Sequence, residues 1–169
     1  GLGTSGQLGD GTTVSKSSPV QIGTSSWTSV SAGFTHTAAI RADGGLFAWG
    51  LNSSGQMGDG TTVNKSSPVQ IGTSSWSSVA AGQIHTAAIR TDGRLFTWGY
   101  NLNGALGDST TIDKLQPLQV GTSGYTKIAA GAVDSTYAIT NTGYMYAWGQ
   151  NTAGQLGISD TINRSSPVQ

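Results

Sequence analysis

The segment Val79-Ala80-Ala81-Gly82-Gln83-Ile84-His85-Thr86-Ala87-Ala88-Ile89-Arg90-Thr91-Asp92-Gly93-Arg94-Leu95-Phe96-Thr97-Trp98-Gly99 decides the fold. Two short apolar runs, His85 to Ile89 and Leu95 to Trp98, flank Asp92-Gly93. Runs this short, bounded by turn residues, read as strands and not helices. Asp-Gly between them predicts a hairpin closed by a type I′ turn, whose central residues need positive φ. The same reading applies to His36 to Arg41, Asp43-Gly44 and Leu46 to Trp49, and more weakly around Thr142-Gly143. Trp27 to Ala32 alternates, which places Val30 and Ala32 on one face and Trp27 and Ser29 on the other. Pro19 to Ile22 supplies a fourth strand, with Pro suited to its first residue or to an edge.

The segment is one copy of a repeat. Trp49-Gly50, Trp98-Gly99 and Trp148-Gly149 lie 49 and then 50 residues apart. Gly6-Gln7-Leu8-Gly9-Asp10 returns as Gly55 to Asp59, as Gly104 to Asp108 and as Gly154 to Gly157; Ser18-Pro19-Val20-Gln21 returns at 67–70, 116–119 and 166–169. The units are 1–49, 50–98 and 99–148, followed by a partial unit, 149–169. The third unit is one residue longer because Ala132-Val133-Asp134 replaces Phe34-Thr35 and Gln83-Ile84. The chain opens and closes inside a repeat and without an initiator Met, so it reads as a segment of something longer.

Composition excludes several classes. Among 169 residues there are 26 Gly, 22 Ser and 22 Thr, with no Cys and no Glu. Without Cys there is no disulfide scaffold, zinc finger or thiol chemistry. Eight basic and eight acidic residues balance, so no electrostatic footprint for nucleic acid or anionic lipid is present. No stretch approaches the ~18 apolar residues of a membrane span. Hydrophobic content of 36% with five Trp argues against disorder. Four short strands per unit, repeated, predict an all-β fold, a β-propeller of four-stranded blades. The small runs Ser31-Ala32-Gly33, Ala80-Ala81-Gly82 and Ala129-Ala130-Gly131 suit the inner strand, where blades converge, and Trp49, Trp98 and Trp148 belong further out.

The string Val79 to Gly82, then His85 to Ile89, Asp92-Gly93, Leu95 to Gly99 and Asn101 ahead of Gly104-Ala105-Leu106-Gly107 resembles the repeat of the regulator of chromosome condensation family. The resemblance implies a propeller, usually of seven blades, of which this chain would supply about 3.4. It also implies a range of functions. One member exchanges nucleotide on a small GTPase while docked on chromatin, a plant photoreceptor of this fold uses clustered Trp, and a bacterial β-lactamase inhibitor acts by surface contact alone. Here no basic extension is present, and Gly33-Phe34-Thr35-His36-Thr37 and Gly82-Gln83-Ile84-His85-Thr86 lack the Trp and Arg of the photoreceptor runs.

Candidate chemistry is sparse. Gly1-Leu2-Gly3-Thr4-Ser5-Gly6 matches a dinucleotide fingerprint, but its counterparts carry Asn52, Asn101 and Asn151 at the middle Gly and no helix is predicted after it, so no cofactor is assigned. His36 and His85 have no convergent acids, which assigns neither a metal nor a catalytic role; each imidazole is expected to bond a backbone group within or between blades. Asp10, Asp59 and Asp108 with Lys16, Lys65, Lys114 and Arg164 read as a turn plus a modest surface ion pair.

Positions fixed by blade geometry repeat, and positions left free can serve binding. The free ones fall in two loops. One holds Phe34, Thr35, Gln83, Ile84, Ala132, Val133 and Asp134; the other holds Leu2, Leu51, Tyr100 and Leu102. Apolar loop tips mark a protein-contact surface. The expected function is a non-enzymatic scaffold or binding module that meets another protein, in a virion, extracellular or cell-surface setting suggested by resemblance to the regular repeats of bacterial and phage proteins. The alternative is a guanine-nucleotide exchange regulator. No nucleic-acid partner and no membrane insertion are expected.

Overall fold

The computed structural model describes all 169 residues and contains eleven β-strands and no helix. Three four-stranded antiparallel blades follow one another. The first comprises β1 (Trp27–Ala32), β2 (His36–Arg41), β3 (Gly45–Gly50) and the start of β4 (Lys65–Ala81). β4 passes from the outer edge of one blade to the inner edge of the next: Val69 and Gln70 pair with Ala48 and Phe47, whereas Trp76 to Ala81 pair with β5 (His85–Arg90). β6 (Leu95–Gly99) and β7 (Lys114–Gln119) complete the second blade. The third is β8 (Tyr125–Ala130), β9 (Ser135–Thr140), β10 (Met145–Gly149) and β11 (Arg164–Val168). Each blade therefore takes its outer strand from the next sequence unit, which interlocks the repeats covalently.

Three local expectations change. Pro19 to Ile22 forms no strand. Its equivalents in β4, β7 and β11 pair with the third strand of the preceding blade, and no such strand lies ahead of it in this chain. The hairpin turn is not type I′. Gly44 N donates to Arg41 O at 2.9 Å, and of the turn residues only Gly44 is left-handed, at φ +85°. This is the longer loop with a glycine bulge, and Gly93 and Gly143 repeat it at +83° and +89°. The inner strand also does not alternate simply. A bulge at Thr28 lets Trp27 pair with Arg41 while Ser29 pairs with Ile40. The extra residue reverses the parity, so Trp27 and Val30 share a face.

That shift builds the core. One face of each blade is aromatic and bulky, the other small and aliphatic, and the bulky face of each blade packs on the aliphatic face of the one before. Trp76, Val79, Ala88 and Trp98 meet Ala38, Ile40, Leu46 and Ala48; Tyr125, Ala138 and Trp148 meet Ala87, Ile89 and Leu95. Val79, with a blade before it, is 8% exposed, whereas its counterpart Val30 on the first blade is 68% exposed. Trp76 and Phe96 pack edge to face with ring centroids 5.4 Å apart, as do Trp27 and Phe47.

Hydrogen bonds sew the blades together at the same level. His36 Nε2 lies 2.9 Å from Thr86 Oγ1 on the next blade. Thr86 Oγ1 donates to Gln56 O at 2.7 Å, and Trp98 Nε1 donates to the same carbonyl at 3.0 Å. Since the hydroxyl proton is committed to the carbonyl, Thr86 accepts, and His36 must carry its proton on Nε2. His85, Thr136, Ala105 O and Trp148 repeat the relay one blade on. The histidines thus bridge blades as expected, but to a hydroxyl instead of a backbone group. Burial pushes the His36 pKa down to about 3 and that of His85 to about 4, so both rings are neutral at pH 7.

Candidate functional site: the loop face

Antiparallel connectivity puts the β1–β2, β4–β5 and β8–β9 loops at the same end of the blades as the long connections 51–64, 100–113 and 150–163. The two loops singled out by sequence therefore share one face. They are also bonded to one another: Leu51 N donates to Thr35 O at 2.8 Å, Tyr100 N to Ile84 O at 3.0 Å and Gln150 N to Asp134 O at 2.9 Å. The approach is so close that the intervening residue must be glycine. Gly50 and Gly99 have φ of +108° and +101°, and a Cβ there would lie 2.6 Å from Thr35 O and 2.7 Å from Ile84 O. This is the physical content of the Trp-Gly pair: the ring fills the blade interface, and the glycine lets the chain turn back against the short loop.

At the inner end, Phe34, Gln83 and Ala132 join Ala32, Gly33, Ala81, Gly82, Ala130 and Gly131 around a shallow concavity of about 260 Å³ where the inner strands converge. Phe34 is 77% exposed and Leu102 is 64% exposed. Val133 and Leu2 are exposed; Thr35, Leu51, Gln83, Ile84 and Tyr100 are half-buried. Asp134 differs from the rest in being buried.

The long connections are rigid because a buried asparagine organises each. Asn52 Nδ2 donates to Asp59 Oδ1 at 3.0 Å and to Thr61 O at 2.9 Å, while its Oδ1 accepts from Met57 N at 3.0 Å. Asn52 N donates in turn to Asn64 Oδ1 at 2.9 Å. Asn101 and Asn151 do the same for their loops. The recurrent aspartates are consequently more than surface partners of lysine. Burial alone would raise the Asp59 pKa, but hydrogen bonds from Thr61 and Asn52 outweigh it and keep the carboxylate below its ordinary range. In the last loop Asp160, aligned with Thr110, takes over this role and pairs with Arg164.

Sequence reasoning missed a second apolar set on these loops. Val14, Val63, Ile112 and Ile162 recur every 49 or 50 residues and are all exposed, Ile112 to 67%. Their regularity hides them, because comparison between units singles out positions that vary. The available signal was an apolar β-branched residue inside Thr-Thr-Val-Asn, a turn context that gives it nothing to pack on. The face therefore carries two concentric apolar sets, one at the inner loops and one on the long connections. No group of three or more His, Cys, Asp or Glu gathers as a metal site would require.

Family models for the regulator of chromosome condensation (RCC1) repeat match residues 1–40, 43–89, 92–135 and 142–169, and a second model of that repeat matches 27–56, 76–105 and 125–155. No curated protein matches in sequence. The crystal structure of human WBSCR16 is similar at a TM-score of 0.89 and 26% identity, over 99% of this chain and 46% of that one. Prp20p of Saccharomyces cerevisiae, whose structure was described with its binding properties to Gsp1p and histones, is similar at 0.75 and 21% identity, over 84% of this chain and 37% of that one. The C-terminal domain of gp131 from bacteriophage phiKZ is similar at 0.50 and 17% identity, over 86% of this chain and 42% of that one. The chain spans less than half the length of these structures.

Proposed function

Because the chain belongs to the regulator of chromosome condensation (RCC1) repeat family, we propose that it is part of a non-enzymatic propeller that binds another protein through its loop face. The observation that carries this reading is the pair of exposed apolar sets, Phe34 and Val133 on the short loops and Leu102, Val14, Val63, Ile112 and Ile162 on the long segments, held on loops tied together by backbone and asparagine hydrogen bonds. Apolar side chains at such exposure are supported by buried polar networks and have no partner within the chain. A preorganised apolar surface binds protein with little ordering cost. The similar yeast protein is one described as binding proteins.

The setting we propose is a virion or a secreted, cell-surface component. Its support is the near-identity of the units, such as Thr24-Ser25-Ser26-Trp27 and Thr73-Ser74-Ser75-Trp76. Replacing Phe34, Leu102 and Ile112 together by Ser tests the contact face: the partner should no longer co-purify while the thermal midpoint stays within about 2 °C. Retention of the partner refutes the face. Accelerated nucleotide release from a small GTPase would replace the scaffold reading by nucleotide exchange.

A further inference from the structure

Six of the eight aspartates are in ion pairs: Asp10 with Lys16, Asp43 with Arg41, Asp59 with Lys65, Asp92 with Arg90 and Arg94, Asp108 with Lys114, and Asp160 with Arg164. The two without a basic partner, Asp113 and Asp134, are neighbours at the junction of the second and third blades on the loop face. They bracket the segment Tyr100 to Asn103. Asn101 N donates to Asp113 Oδ1 at 2.8 Å, and Asn103 Nδ2 donates to Asp134 Oδ2 at 3.4 Å. Burial raises the Asp134 pKa, helped by the charge of Asp113, and Tyr100 feels both carboxylates.

Neither charge is needed by the fold. The place of Asp113 is held by Asn64 and Asn163 in the other loops, and their amide oxygens accept the same backbone bond at 2.9 and 2.8 Å. The structural work of Asp134 is done by its main-chain carbonyl, as at Thr35 and Ile84. Its side chain is an addition: the residue is only 6% exposed, yet Oδ1 has no hydrogen-bond partner. The backbone is left-handed there, at φ +43°, a conformation that Asp tolerates better than most residues. A buried carboxylate oxygen without a donor, beside a second carboxylate without a basic partner, is costly unless it takes up a proton or a cation completes it.

We propose that Asp113 and Asp134, beside Tyr100, accept a lysine or arginine side chain from a protein partner. The inference rests on the contact-face reading above and names what that face recognises. Two carboxylates beside an aromatic ring suit an ammonium or guanidinium, through charge-assisted bonds and a cation–π contact. A calcium ion asks for six to eight oxygens, and no third acidic or histidine ligand gathers with these two. The pair sits where the template is broken, by the extra residue of the third unit and by Ser135 in place of His.

The test is a titration followed by amide resonances, using N-acetyl-argininamide and N-acetyl-lysinamide, with N-acetyl-citrullinamide as the uncharged control and calcium chloride as the metal. Saturable shifts at Asn101, Asn103, Asp134 and Gln150 are expected from the two cations, none from the citrulline analogue, and a tenfold or greater weakening in Asp113→Asn and Asp134→Asn. Asp113→Asn restores the residue of the other loops, so its unfolding midpoint should be unchanged even if Asp134→Asn proves unstable. No shift at these residues, an equal response to the citrulline analogue, or tighter saturation by calcium overturns the proposal. If the cations bind but the serine substitutions at Phe34, Leu102 and Ile112 leave the partner in place, the contact-face reading fails and the protein source of the cation fails with it.

Discussion

Lowering the pH from 7.5 to 5.0 is expected to remove about 4 kcal/mol of folding free energy through His36 and His85 alone. Both rings are buried and donate from Nε2 to a threonine hydroxyl on the next blade. With folded pKa values of about 3 and about 4 against 6.5 for a free imidazole, the unfolded chain takes up two protons below pH 6.5 and the folded chain takes up none until pH 4 is approached. Stability is therefore fully present above pH 6.5 and falls as pH drops, each histidine costing roughly 2 kcal/mol at pH 5. Asp43 and Asp92 titrate well below this range. Hydrogen bonds from Arg41 and Arg90 hold Asp43 and Asp92 at about 2, so their contribution is lost only below the ordinary carboxylate value near 3.8. Urea unfolding followed by Trp fluorescence at pH 7.5, 6.5, 5.5 and 5.0 measures the slope. In His36→Gln/His85→Gln, where the amide can donate from the same place but cannot titrate, the loss between pH 6.5 and 5 should nearly vanish. A flat wild-type profile, a slope retained in the double variant, or imidazole resonances that titrate above pH 5.5 would refute the buried neutral relay.

Thr86→Val should cost about 2 kcal/mol by equilibrium unfolding, because it strands the His36 N–H in a dry interface, and Thr86→Ser should cost less. Gly99→Ala should cost at least about 2 kcal/mol by the same assay, since φ is +101° and the new Cβ would press on Ile84 O. Asn101→Ala should cost about 2 kcal/mol and speed amide exchange across residues 101–113, whose turn it organises.

The repeat made most of this fold readable. Hairpins at Asp43-Gly44 and Asp92-Gly93, inner strands ending in Ala-Gly, and outward Trp all follow from short apolar runs between turn residues. What local pattern could not show is what depends on a second chain segment. The bulge at Thr28 that turns Val30 onto the Trp27 face is imposed by pairing with β2. The hydroxyl partner of His36 lies fifty residues away. Pro19 to Ile22 has the composition of a strand and no ladder to join. On the loop face, variable positions such as Phe34 and Leu102 were accessible to comparison between units, whereas Ile112 and its repeats were hidden by their regularity. Asp134 shares its loop with Val133, and only its burial and missing donor set it apart.

The most direct test of the contact face compares photo-crosslinking from its two ends in the intact protein. A photoreactive residue at position 34, 63 or 112 should give a discrete protein adduct in the cells that express it, and one at position 42, 91 or 142, at the hairpin turns of the opposite end, should give none. Adducts from the turn end alone, or equally from both ends, would contradict the account.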